Sequence, residues 1–491
     1  MKKKPVWMFF LVISLLCLVV AIDRIDDMEF HGMRVLPEEK LAKLTESLGR
    51  VDSPQNAEEL ILLDGHGIPY DRDNNLFYVS QSTEGKEYAG TFTAAGSGCA
   101  LYLQKDDALK DKQDAIARGH RFKVWFVTEN AYAVSELVFT GLPMVCIRSE
   151  AGGLTDGYGR GSIVVQNPDD TDIITMSVKE SAIETKVNHN SGTISFKLFK
   201  NQYDQERDLS LLGMGKRTSW KLYPVYEKDD AASREMVANY VWNCVCSEDT
   251  LQKGMEYAEV IVDGEYKGLY YLAPKVGKGY LDLGEKDRAY ECEEVLEDGT
   301  KRYEVIGDQD TQENREQLLW YENLWQAGNE DFARLNIENY INYNIYLQAA
   351  CAVQNSMEEY YVIAREQDGE YGFYKMPGRS KFVFGLYPSR IGWQSVFATE
   401  NIMEDAEYDC LSGQMDDIAP RTAARWKELR QNALSTQSLL SVAYLCEQRL
   451  ADSGYIVREE EHSAYGTACD NLHEMIRERM AHLDQYYESI K

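Results

Sequence analysis

The sequence predicts an α+β protein, and three observations carry that reading. Short runs rich in β-branched and aromatic residues, among them "NLFYVS", "CALYLQ" and "RFKVWFVT", recur from Leu60 to about Ile147 between clusters of Gly, Asp and Asn. Two hairpins are written farther along. "YAEVIVDGEYKGLYYL" turns at Asp263 and Gly264, and "EEYYVIAREQDGEYGFYKMP" turns near Asp368 and Gly369 and stops at Pro377. Helical spacing dominates elsewhere: Leu318, Leu319, Leu324 and Trp325, then Ile337, Tyr340, Ile341 and Ile345, and finally the amphipathic segments "AARWKELRQNAL", "SLLSVAYLCEQRLADSG" and "NLHEMIRERMAHLDQYY".

Taken from the N-terminus, the elements divide the 491 residues into four parts. Lys2, Lys3 and Lys4 precede an uncharged, mostly apolar run from Pro5 to Ile22, followed by Asp23, Arg24, Asp26 and Asp27. As a helix this run would extend about 27 Å, close to the hydrocarbon thickness of a bilayer. Residues 1–27 therefore read as a signal peptide or a retained signal anchor, with Val19 and Ala21 offering a cleavage site. The rest of the chain is then expected outside the cytoplasm, secreted or held at the outer face of the membrane, with the lysines inside. Residues 28–59 read as a helical stalk, because "LPEEKLAKLTESLG" carries apolar residues at helical spacing. Residues 60–147 form a small β-rich, sandwich-like domain, and 148–491 a second domain mixing strands and helices.

Composition narrows the function classes. Lys and Arg total 52 against 81 Asp and Glu, giving a net charge of −29 and a pI near 4.7. Such a surface repels nucleic acid, and a nucleic-acid partner is not expected. Ten cysteines are present, one of them Cys17 in the apolar run, and their spacing offers neither a zinc knuckle nor a redox pair; most read as buried small apolar residues. "DGYGRGS" at 156–162 leads into a strand-like "SIVV" rather than a helix, so the dinucleotide and P-loop templates fail and a hairpin turn is expected. "HEMIR" lacks the second zinc-ligating His, because position 477 is Arg. No G-x-S-x-G elbow supports a serine hydrolase.

An ordered series of elements is more specific. "SLLGMGKRTSWKL", "DDAASRE", "VIVDGEYKGLYYL", "ENYINYNIYLQAACAVQNS" and "YGFYKMPGRSKFVFG" follow one another. Together they resemble the CotH family, the spore-coat-type atypical protein kinases, over roughly residues 140–490. Leu211, Leu212, Gly213 and Trp220 match one family element, Asp229 and Arg234 the next, and Gly264, Glu265, Tyr266, Gly268 and Tyr270 the hairpin. The resemblance implies a kinase-like fold with a β-rich lobe and a helical lobe.

Its catalytic positions are altered. An Asp expected after the long helix falls on Gln354-Asn355-Ser356-Met357, the acids expected after the proline fall on Arg379 and Lys381, and a further Glu falls on Pro274. Phosphoryl transfer depends on divalent metal held by carboxylates. A unit cation about 4 Å from a divalent ion repels it by roughly 8 kcal/mol at an effective dielectric of 20, where a carboxylate would attract it as strongly. The resemblance therefore implies a catalytically degenerate pseudokinase, with no cofactor expected, acting as a surface interaction or structural protein on a protein or cell-surface partner.

Lys197, Arg234, Arg379 and Lys381 are the candidate contacts for an anion or a nucleotide bound without metal; a surface loop paired with local acids is the blander expectation for 378–381. Two alternatives stay open. An active kinase would transfer phosphate from ATP with Mg to a secreted or coat protein, drawing on Glu358, Glu359 or Asp368. A glycan- or protein-binding module would use aromatics of 60–147 such as Phe77, Tyr78, Trp125 and Phe126, which read first as core.

Overall fold

The computed structural model describes residues 28–52, 60–82, 90–96, 98–167, 177–200, 203–247, 251–296, 300–307, 311–325, 332–386, 401–458 and 464–490. The apolar run with its lysines, expected to be an export segment, lies outside the described residues. The chain is mixed α+β, with strands concentrated in the first 305 residues and helices after them.

The N-terminal unit is built on an eight-stranded sheet. Its order is Met28–Phe30, Met33–Leu36, Ala100–Gln104, Arg121–Val127, Ala131–Thr140, Leu76–Ser80 and Tyr70–Asp71, with Gly49–Arg50 pairing off the path to Ala131–Thr140. Alternation decides which side chains go in. Val35, Leu103, Phe122, Val124, Phe126 and Leu137 bury one face, and Ile61, Leu63 and Phe92 of a three-stranded sheet join that core.

Residues 28–52 are thus not the helical stalk that their amphipathic spacing suggests. A helix does form at Glu38–Thr45, but Met28–Leu36 is a hairpin whose second strand runs parallel to Ala100–Gln104. Met33 and Val35 alternate with Arg34, and that period of two, too short to stand out beside the helix, buries the first two in the sheet core.

Met144–Ser149, the end of the expected β domain, belongs instead to a closed barrel. It continues through Gly159–Asn167, Ser177–Asn188, Thr193–Phe199, Ser219–Pro224, Glu265–Pro274 and Glu256–Val262, and the last of these closes the barrel by parallel pairing to the first. Val145, Ile163, Ile183, Phe196, Trp220 and Leu272 fill it. Both hairpin turns are where the sequence puts them, with positive φ at Asp263 and Gly264 and at Asp368 and Gly369. "DGYGRGS" opens the strand Gly159–Asn167 of a hairpin, as expected.

The remaining core is helical. Ile337–Ala350 is buried from Asn339 to its end, so it packs on all sides rather than along one stripe. Around it lie Arg234–Val245, Ile418–Arg430, Thr436–Asp452 and Tyr465–Ser489, and a four-stranded sheet ordered Lys301–Val305, Arg288–Val295, Tyr360–Gln367, Glu370–Pro377. "HEMIR" is an ordinary turn of the last helix, with His473 buried. Nine cysteines are thiols rather than disulfides, six of them buried. No helix among the described residues is long and apolar enough to cross a membrane.

Candidate functional site

The segment 378–381 lies where the barrel meets the helical part. Strand Glu370–Pro377 ends at Pro377, and the Gly378 N–H then donates to the Glu359 carbonyl at 2.6 Å. A Cβ at Gly378 would stand 2.6 Å from that oxygen, so only glycine allows the approach. Asn355, 1% exposed, fixes the same junction: its Nδ2 donates to the Glu359 carbonyl at 2.6 Å and to the Arg379 carbonyl at 3.2 Å. The Tyr346 hydroxyl donates to Asn355 Oδ1 at 3.0 Å and meets Ser380 Oγ at 2.6 Å. The Asn355 amide donor is therefore consumed by backbone carbonyls.

Arg379 is not in a surface turn. Its Nη2 and Nε hold Glu235 Oε1 at 2.8 Å and Oε2 at 3.2 Å, and Nη2 also donates to the Pro224 carbonyl at 2.6 Å. The Tyr223 ring lies 5.0 Å from the guanidinium. Its partner is thus 144 positions away in sequence, not local. The surface-loop expectation fails because the loop is tied down at Gly378, Asn355 and Ser380. Lys381 lies half-buried over the Tyr226 ring at 4.4 Å, and burial followed by the Arg379 charge pushes its pKa down.

The other expected cations are elsewhere. Lys197 pairs with Glu206 on the barrel wall. Arg234 pairs with the buried Asp229 and donates to the Phe384 carbonyl at 3.3 Å, anchoring the start of its helix. Pro274 ends a barrel strand opposite Trp220 and is buried. The structure brings together Pro274 and Arg379, which line one recess with Tyr223, Lys253, Tyr280 and Tyr361.

Several residues of this cleft, Lys253, Lys221, Glu291 and Glu235 among them, escape sequence reasoning, whereas Glu359 is one of the acids it considered. Lys253 donates to the Gly378 carbonyl, and burial lowers its pKa to about 8. Glu359, at φ 56°, has a pKa raised to about 7 by burial and then by Glu291. Tyr223 beside it, then Glu291 and Glu359, hold Lys221 protonated, and the Tyr361 hydroxyl donates to Glu291 at 2.8 Å. One signal was readable: Glu235 shares its helix stripe with Ala238, Trp242 and Val245, all buried, and a carboxylate on an apolar stripe needs a cation. Of the three acids considered for an active site, only Glu359 interacts with Lys221 and Arg379 beside the recess. Glu358 is buried against Gln354, and Asp368 is exposed in its hairpin turn.

Lys221, Lys253 and Arg379 thus face Glu235, Glu291 and Glu359, with Lys275 and Lys381 close by. The set mixes both signs. It does not fit a divalent metal: Glu235 is spent on Arg379, and no group of three or more His, Cys, Asp or Glu side chains among the described residues could hold one. No family model matches the chain, and no curated protein matches it in sequence.

Proposed function

We propose that this chain is an exported, catalytically silent kinase-like protein of the CotH type that acts as a surface interaction or structural protein. The five ordered sequence elements support the family, the lysine-flanked apolar run supports export, and a barrel set against a helical part agrees with a two-lobed kinase-like fold. A single observation carries the silence: the Arg379 guanidinium is bound bidentately to Glu235, and the CotH resemblance implies a metal-holding acid at that position. With Glu235 spent on that cation, its carboxylate is not left free to hold magnesium on a nucleotide, and a guanidinium already paired gives little to a free anion.

Glu359 favours a second reading, because, of the three candidate acids, it is the one that interacts with Lys221 and Arg379. In that reading the chain is an active kinase. Incubation of the full chain with labelled ATP, Mg²⁺ or Mn²⁺ and generic protein substrates separates the two. No transfer is expected. Metal-dependent transfer that Glu359→Gln abolishes would replace the silent reading with the active one.

A further inference from the structure

The outer face of the N-terminal sheet is covered on one side only. Leu76, Tyr78 and Val138 pack there against Met144, Cys146 and Ile261 of the barrel, and the Tyr78 ring stacks on Tyr266 at 5.2 Å. Beyond that contact no described element covers the face. Register places Arg34, Tyr102, Trp125 and Val134 in one line across four strands, and all four side chains point away from the core that Val35, Leu103 and Val124 form. Arg50 and Val127 flank Tyr132 in the next line, and Lys123 lies opposite Glu136.

Two properties set this face apart. Trp125 and Tyr132 are half-buried, with rings parallel within 13° and centroids 5.6 Å apart, and Tyr102 is the direct cross-strand neighbour of Trp125. The sequence ranked Trp125 with Phe77 and Phe126 as core; the latter two are, and Trp125 is not. The second property is charge. Among the described residues Arg34, Arg50, Arg121 and Lys123 are exposed here against Glu29 and Glu136, the latter paired with Arg121, a local cationic excess in a chain whose acids outnumber its bases 81 to 52.

We propose that this open face binds an acidic polysaccharide, with pyranose rings lying on Trp125, Tyr132 and Tyr102 and carboxylates meeting Arg34, Arg50 and Lys123. Aromatic faces take up the apolar C–H faces of sugar rings, and their polar edges reach the surrounding side chains. Gln104, which accepts from Trp125 Nε1 at 3.3 Å, and Glu136, which accepts from Arg121 at 3.1 Å, supply acceptors for hydroxyl groups. Those acceptors favour a sugar over a sugar-phosphate backbone, because a phosphodiester has no hydrogen to give them.

Affinity electrophoresis of the full chain tests this, in gels carrying polygalacturonate, hyaluronate or alginate, with neutral galactan and oligo-dT as comparisons. Retardation by at least one of the acidic polymers, and none by galactan, is expected. Trp125→Ala should weaken it about tenfold. The double substitution Arg50→Glu, Lys123→Gln should abolish it, and because both residues are exposed and no new like-charge pair is set across the strands the thermal midpoint should hardly move. Unaltered migration in all three acidic gels would overturn the proposal, as would equal retardation of the doubly substituted chain. Tighter binding of oligo-dT than of any glycan would assign the face to single-stranded nucleic acid instead.

Discussion

Truncating Arg379 would leave the Glu235 carboxylate, 1% exposed, without its partner, and an uncompensated buried charge costs about 3–5 kcal/mol. Arg379→Ala should therefore lower unfolding stability by that amount in urea titrations. Arg379→Met combined with Glu235→Leu should recover most of it, since apolar replacement of both partners is often neutral. Glu359 acts through pH. Its pKa is near 7 in the fold against 4.5 in the open chain, so the fold binds more protons between those values and stability falls as pH rises from about 4.5 to 7. Ionisation then costs at most about 3 kcal/mol, less where water reaches the half-buried carboxyl. Glu359→Gln should flatten that slope, which thermal midpoints at pH 5 and pH 7.5 would show.

Among the elements, the junction of 355 with 378–380 tests whether the cleft can be returned to an acidic state. Asn355→Asp restores the residue type of the resembling family, yet it turns a donor aimed at two carbonyls into an acceptor. The expected result is a loss of about 1–3 kcal/mol with no shift on adding Mg²⁺, read by thermal unfolding with and without the ion. The hairpins at Asp263-Gly264 and Asp368-Gly369 were legible because turn chemistry is local, and the helix at Ile337–Ala350 because its apolar residues are dense. The strands at Met28–Leu36 were not. Their burial depends on Ala100–Gln104, far along the chain, and no local pattern encodes that partner. The cleft follows the same rule: Arg379 was singled out for its charge, but Glu235, Lys253 and Glu291 become site residues only through tertiary contact.

At the scale of the molecule, Arg458 joins three parts. Its Nη2 donates to Glu259 of the barrel at 2.6 Å and to Thr140 of the N-terminal sheet at 3.2 Å, while Nη1 holds the Ser453 carbonyl at 3.2 Å. Glu259 is fully buried, so Arg458→Ala should destabilise by several kcal/mol. It should also free the N-terminal unit for earlier proteolysis, followed by timed digestion of the full chain. This clamp was invisible in the sequence, which divided the chain into successive domains near residue 147.

The parallel closure of the barrel has a temporal consequence. Met144 is matched to Glu259, so the first strand of the barrel is made 115 residues before its partner (259 − 144). At about 5–20 residues per second, a nascent chain would carry that strand with one unsatisfied edge for several seconds or more. An unpaired apolar edge is a template for other chains. Delay between the two strands, rather than weakness in the finished barrel, would then be the point at which production of this protein fails.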